Sequence, residues 1–151
     1  MNPRDFLPPA NAFSHHFSVA PEAIDELGHA GNVTWVRWVQ DAATEHSFSV
    51  GLGLDQYREL GLLWVVRRHE VDYLQAAFEG DAIVAATWIE GVKGATAIRR
   101  TRFVREKDGV ELARARTTWV LLNIATGRPT RVPPMLQDRY GFVPTERSPL
   151  S

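Results

Sequence analysis

A chain of 151 residues, 44% hydrophobic and 23% charged, has the size and composition of one globular domain with its own core. Its net charge of −1 gives no basis for binding nucleic acid or an anionic membrane. It has no cysteine, which removes disulfides, thiolate metal sites and a cysteine nucleophile together. No run approaches the ~18 apolar residues of a membrane span. The first dozen residues include Pro3, Pro8 and Pro9 and no apolar signal segment, so a cytoplasmic protein is expected.

In chain order, residues 1–12 read as a loose N-terminal arm and 13–134 as the domain. Phe13 to Val19 alternates weakly and predicts a first strand. Pro21 to Gly31 reads as a loop. Asn32 to Val50 predicts a long helix: Trp35, Val36, Val39, Ala42, Ala43, His46 and Val50 recur at helical spacing, and Gly51 and Gly53 supply the stop. The rest reads as strand: Leu62–Gln75, Ala82–Ile89, Thr96–Arg105 and Val110–Ile124. Lys107-Asp108-Gly109 marks a hairpin between the last two. Pro133-Pro134 closes the domain, and 135–151 reads as a tail.

A strand, one long helix and a meander of four strands predict an α+β fold. The helix must bury its apolar stripe on one face of an antiparallel sheet. The last hairpin leaves a choice of register. A slip of one residue decides whether Arg100 and Arg102 share a face with Arg114 and Arg116.

The chemistry-bearing stretch is Ile24 to Asn32. It holds an acid (Asp25), an imidazole (His29) and two glycines (Gly28, Gly31), and it feeds directly into the helix. The first turn of a helix offers unsatisfied N–H groups and partial positive charge. Such a site can bind an oxygen that becomes negative in a transition state. A carboxylate delivered just before it can attack the same carbonyl or activate a water. A thioester suits so sparse a site, because its thiolate leaves without a strong general acid. On spacing alone a plainer reading stays open, in which Asp25 caps a turn and Asn32 caps the helix.

Asp25-Glu-Leu-Gly28-His29-Ala-Gly31-Asn32, followed by an aromatic and Arg-Trp-Val, resembles the opening of the 4-hydroxybenzoyl-CoA thioesterase-like acyl-CoA thioesterases of the hotdog superfamily. Val71-Asp72-Tyr73-Leu74 with Gly80-Asp81 resembles their second-strand segment, and Thr126-Gly127-Arg128-Pro129 their closing strand. The resemblance runs from about Phe13 to Pro133. It implies a hotdog fold, a curved antiparallel sheet around one central helix. It implies homodimers or dimer-of-dimers tetramers with sites at the subunit interface. It implies Asp25 as nucleophile or base and the backbone N–H of Asn32 polarising the carbonyl, with Gly28 or His29 shaping the loop. It implies no metal and no bound cofactor, coenzyme A being part of the substrate. Gly31 departs from the pattern, since these families often carry an asparagine there, and Ala76 or Ala77 stands where proline is common.

Further candidates for substrate contact are Tyr73 and, for the phosphates of coenzyme A, Arg68, Arg100 and Arg102. Glu45 lies about 20 Å along the helix from Asn32, too far to share a site with Asp25 within one chain. His15-His16, and His69 with Glu70 and Asp72, are poor chelators, because neighbours on a strand face opposite ways. The expected function is hydrolysis of an acyl-CoA thioester. The rivals are a thioesterase acting on acyl carrier protein, which should present a basic rim to its acidic carrier, and a non-catalytic acyl-binding module.

Overall fold

The computed structural model describes residues 1–141. Its strands are β1 (Phe13–Ser18), β2 (Leu62–Tyr73), β3 (Ala82–Lys93), β4 (Thr96–Arg105) and β5 (Glu111–Asn123); its α-helices are α1 (Asn32–Ser49), α2 (Leu54–Leu60) and α3 (Pro134–Tyr140). The strands form one five-stranded sheet in the order β1-β3-β4-β5-β2. β1 pairs antiparallel with β3, Phe13 opposite Thr87 and Ser18 opposite Ala82. The predicted strand, long helix and four-strand meander are all present.

The chain divides into two compact units, and β2 to β5 contribute residues to both. Unit 1 comprises Met1–His46, Glu70–Trp88 and Thr101–Ala115. Its core joins Trp35, Trp38, Val39 and Ala42 of α1 to Ile83 and Ala85 of β3, Phe103 of β4 and Leu112, Ala113 and Ala115 of β5. The α1 residues recur at three- and four-residue steps, which turns them all to one face. Trp35 stands edge-on to Trp38 at 4.8 Å and to Phe103 at 5.2 Å, an arrangement favoured by ring quadrupoles. Burying a side chain such as Phe103 contributes about 1.5–3 kcal/mol.

The arm is not loose. Pro3–Phe6 forms a turn of 3-10 helix, and Phe6 is fully buried. The Arg114 guanidinium lies 5.7 Å from its ring centre, so a cation covers the aromatic face. Alternation does not reveal this, because one anchoring side chain has no period. Between β4 and β5 the two oxygens of Glu111 are shared between Arg102 and Arg114.

Unit 2 comprises Ser47–His69, Ile89–Arg100 and Arg116–Ser151. Its core holds Leu52, Tyr57, Leu121, Val132, Leu136 and Tyr140. Unit 2 also holds two short helices that the sequence pattern does not mark. α2 runs between Gly53 and Gly61, and the left-handed Gly61 (φ 70°) returns its N–H to the carbonyls of Arg58 and Tyr57. α3 opens at Pro134 and ends at Gly141 (φ 72°). Proline suits the first turn of a helix because its missing N–H would have no partner there. Pro133-Pro134 thus starts a helix that buries Leu136 and Tyr140, where a tail was expected. The remainder of that predicted tail, 142–151, lies outside the described residues.

Candidate functional site

Ile24 and Ala30 form an isolated antiparallel bridge, and Asp25 to His29 is the loop it closes. Asp25 donates its N–H to the His29 carbonyl at 3.0 Å and accepts at its own carbonyl from the Gly28 N–H at 3.1 Å. Its carboxylate Oδ1 accepts from the Leu27 N–H at 2.8 Å, the side-chain turn that aspartate readily makes. Gly28 closes the loop at φ +83°, where a side chain would be strained. Ala30 then ties the loop to buried Ala77, donating its N–H to that carbonyl at 2.9 Å.

The loop ends at the start of α1. The first helical bond is from the Trp35 N–H to the Gly31 carbonyl at 3.2 Å, so Gly31 is the cap and Asn32 the first helical residue. Asn32 is therefore one position inside the cap that the plainer reading gave it. The Asp25 carboxylate lies against the cap: a Cβ built on Gly31 would meet its Oδ2 at 3.3 Å. One carboxylate oxygen is thus tied to the loop, and the other faces the foot of the helix.

A depression of about 470 Å³ opens here, lined by Glu22, Ala23, Ile24, Asp25, Leu27, His29, Gly31, Asn32, Val33 and Thr34. The half-buried His29 places Nδ1 3.3 Å from the Ala30 carbonyl. Thr34 donates its hydroxyl to the Ala23 carbonyl at 3.4 Å, tying the first turn of α1 to the wall. Leu27 and Val33 on the rim are 79% and 80% exposed. The arrangement offers a carboxylate and a helix's first residues facing one small space.

Of the residues singled out in the sequence, Asp25, His29 and Asn32 come together here, with Gly28 shaping the loop. None of the others is among the residues lining the depression. Tyr73 is exposed at the end of β2. Arg102 donates Nε to Glu111 at 2.8 Å. Arg68 and Arg100 belong to unit 2, where Arg100 is paired with Glu90. Arg100 and Arg102 are thus already committed to carboxylates. Sequence reasoning missed the wall residues Glu22, Ala23, Leu27, Val33 and Thr34, and only Gly31 carried a signal, as a departure from the family pattern.

The histidines are used locally. His16 Nδ1 meets Glu106 at 2.7 Å, and His69 Nδ1 meets the Thr117 hydroxyl at 3.1 Å. Burial holds the His69 imidazole below its usual value. Among the described residues no group of three His, Asp or Glu side chains could hold a metal ion. No helix among them is long and apolar enough to cross a membrane.

The family model for the acyl-acyl carrier protein (acyl-ACP) thioesterase N-terminal domain matches residues 10–140. The chain belongs to this family. A chloroplastic palmitoyl-acyl carrier protein thioesterase of Gossypium hirsutum is 30% identical over 128 residues, covering 80% of this chain. The chain spans only 31% of that protein's length. Among solved structures, a 1,4-dihydroxy-2-naphthoyl-CoA thioesterase from Synechocystis superposes with a TM-score of 0.80 at 16% identity, covering 87% of this chain and 97% of its own. The 12:0-ACP thioesterase from Umbellularia californica gives 0.76 at 22% identity, covering 95% of this chain and 57% of its own. These two structural neighbours are named for the two kinds of thioester carrier. The fold of this acyl-ACP thioesterase-family chain is the α+β hotdog fold implied by its opening motif.

Proposed function

We propose that this chain hydrolyses acyl thioesters at the depression in front of α1. The observation that supports the reading is the Asp25 carboxylate, one oxygen fixed by the Leu27 N–H at 2.8 Å and the other against Gly31 at the cap of α1. In this reading the backbone N–H of Asn32 takes the thioester carbonyl oxygen, and His29 and Gly28 keep the loop in shape. Asp25 then acts in one of two ways. As a nucleophile it bonds to the acyl carbon, the C–S bond breaks, the thiolate leaves and water hydrolyses the resulting anhydride. As a base it takes a proton from water, the water oxygen bonds to the acyl carbon and the thiolate leaves. Neither course needs a metal or a bound cofactor.

The first reading of the substrate is acyl-CoA, from the resemblance of the opening motif. Glu22 and Asp25 line the depression, and among the described residues no lysine or arginine lines it, so the lining offers no cation to the phosphates of coenzyme A or to an acidic carrier protein. The second reading, an acyl-ACP substrate, has its own support in the palmitoyl-acyl carrier protein thioesterase to which the chain is similar. The exposed Leu27 and Val33 favour a site completed by a second copy, as a homodimer or a dimer of dimers.

The experiment is free-thiol release from acyl-CoA and acyl-ACP substrates of matched chain length, with light scattering to give the assembly state. Higher kcat/KM on the CoA series supports the first reading, and the reverse order supports the second. Asp25→Asn at wild-type rate removes Asp25 from the chemistry. No release from either series would leave a non-catalytic acyl-binding module.

A further inference from the structure

Gly31 has no backbone reason to be glycine. It is absent from the positive-φ glycines, so an L residue fits its conformation. It caps α1 through its carbonyl, which every residue has, and serine, asparagine or aspartate would cap better by a few tenths of a kcal/mol. What is particular about it is the space. A Cβ there would lie 3.3 Å from Asp25 Oδ2, 3.6 Å from its Cβ and 3.8 Å from its Cγ. The first distance is tighter than an ordinary van der Waals contact. The carboxylate is not free to swing aside, because Oδ1 is held at 2.8 Å by the Leu27 N–H. The Asp25 backbone is held as well, through bonds to His29 and Gly28.

From this we infer that Gly31 is a positioning residue for Asp25: its missing side chain lets the carboxylate lie against the helix start. The inference rests on the thioesterase reading above. A methyl group at position 31 shifts Oδ2 by a few tenths of an ångström or lengthens its partner's bond to Leu27. Either movement takes the oxygen off its line to a carbonyl carbon held at the first amides of α1. Misplacement of about 1 Å costs on the order of 100-fold in rate, so a smaller one is expected to cost about tenfold.

The test is a cycle of four proteins: wild type, Gly31→Ala, Asp25→Asn and the double variant. They are assayed on the thioester that wild type turns over fastest, with thermal unfolding measured alongside. Gly31→Ala is expected to lower kcat about tenfold with KM changed less than about twofold and the melting temperature unchanged. In the Asp25→Asn background it is expected to change nothing, because a residue acting through a carboxylate has no effect once the carboxylate is gone. A merely structural role would lower the rate by the same factor in both backgrounds, and that result overturns the inference. So does a wild-type kcat in Gly31→Ala, or its failure to fold. The two layers separate cleanly. If Asp25→Asn keeps full activity, or wild type turns over nothing, the thioesterase reading falls and takes the inference with it. If Asp25→Asn is inactive and Gly31→Ala is not impaired, the inference alone falls.

Discussion

The buried hydroxyl chain of unit 2 and the exposed acid of unit 1 put polar groups to different uses. In unit 1 the cluster around α1 is aromatic and aliphatic, and the candidate acid Asp25 stays exposed on a loop at the helix foot. In unit 2 a chain of polar groups runs through the core. Trp64 donates its indole N–H to the Tyr57 hydroxyl at 2.8 Å; Tyr57 and Tyr140 share a bond of 2.6 Å; Tyr140 and Ser47 share another of 2.6 Å. Arg99 is buried beside them, 6.0 Å from the centre of the Tyr140 ring. Burial pushes its guanidinium down to about 10, against the pull of Tyr140 and then Tyr57. Burial and the neighbouring Tyr140 push the Tyr57 phenol far above its ordinary 10, so it stays neutral at working pH. Satisfied polar networks fix a unique packing but have no capacity left for a ligand. An acid meant to meet a substrate must keep an oxygen uncommitted to the core, and Asp25 does so.

This contrast can be broken or sharpened by measurement. The largest effect is expected at the exposed acid: Asp25→Asn should lower kcat/KM by about 10²–10⁴-fold. Its urea midpoint should stay at the wild-type value, since the side chain is exposed, and a large stability loss would erase the distinction between site and scaffold. Phe103→Ala should behave in the reverse sense. It removes a fully buried ring that meets both Trp35 and Phe17, and should destabilise by about 3–5 kcal/mol in urea unfolding. Tyr140→Phe should cost about 1–3 kcal/mol, because Ser47 and Tyr57 each lose a partner inside unit 2. A value near zero there would show that the hydroxyl chain is not a source of stability.

The smallest effect is on pH dependence. The folded state holds His69 below its ordinary 6.5, so the unfolded chain binds the proton more readily. Its share of stability is complete above 6.5 and is lost as pH falls below that value. Comparing urea midpoints at about pH 7.5 and about pH 5.5, His69→Gln should show a smaller acid-side loss than wild type. An identical loss in both proteins would assign the acid sensitivity to other groups.

Much of the fold was legible because it is written in short-range pattern. Thr96–Arg105 and the start of α1 at Asn32 stand where alternation and helical spacing put them. β3 runs four residues beyond Ile89, to Lys93, because Gly91-Val92-Lys93 continues the strand up to the turn at Gly94 and Ala95. α2 escaped because seven residues show too few turns for a period, and α3 because its opening proline reads equally well as a stop. Within the site, Asp25, Gly28, His29 and Asn32 were legible as a loop feeding a helix, whereas Glu22, Ala23 and Thr34 were not. Wall residues lack a motif, because any small or polar side chain can line a depression.

The sequence by itself determined the order of the five strands and the long helix and the delivery of an acid to a helix N-terminus, since each depends on residues within a few positions of one another, while the hotdog class followed from the resemblance of the chain to a known family. Only the tertiary structure decided that Asp25 Oδ2 packs against Gly31, that Arg100 and Arg102 are held by Glu90 and Glu111, and that Phe6 is covered by Arg114. Those outcomes hang on which side chains meet across loops and strands. Such meetings are set by the packing of the whole chain, to which periodicity along a few residues is blind.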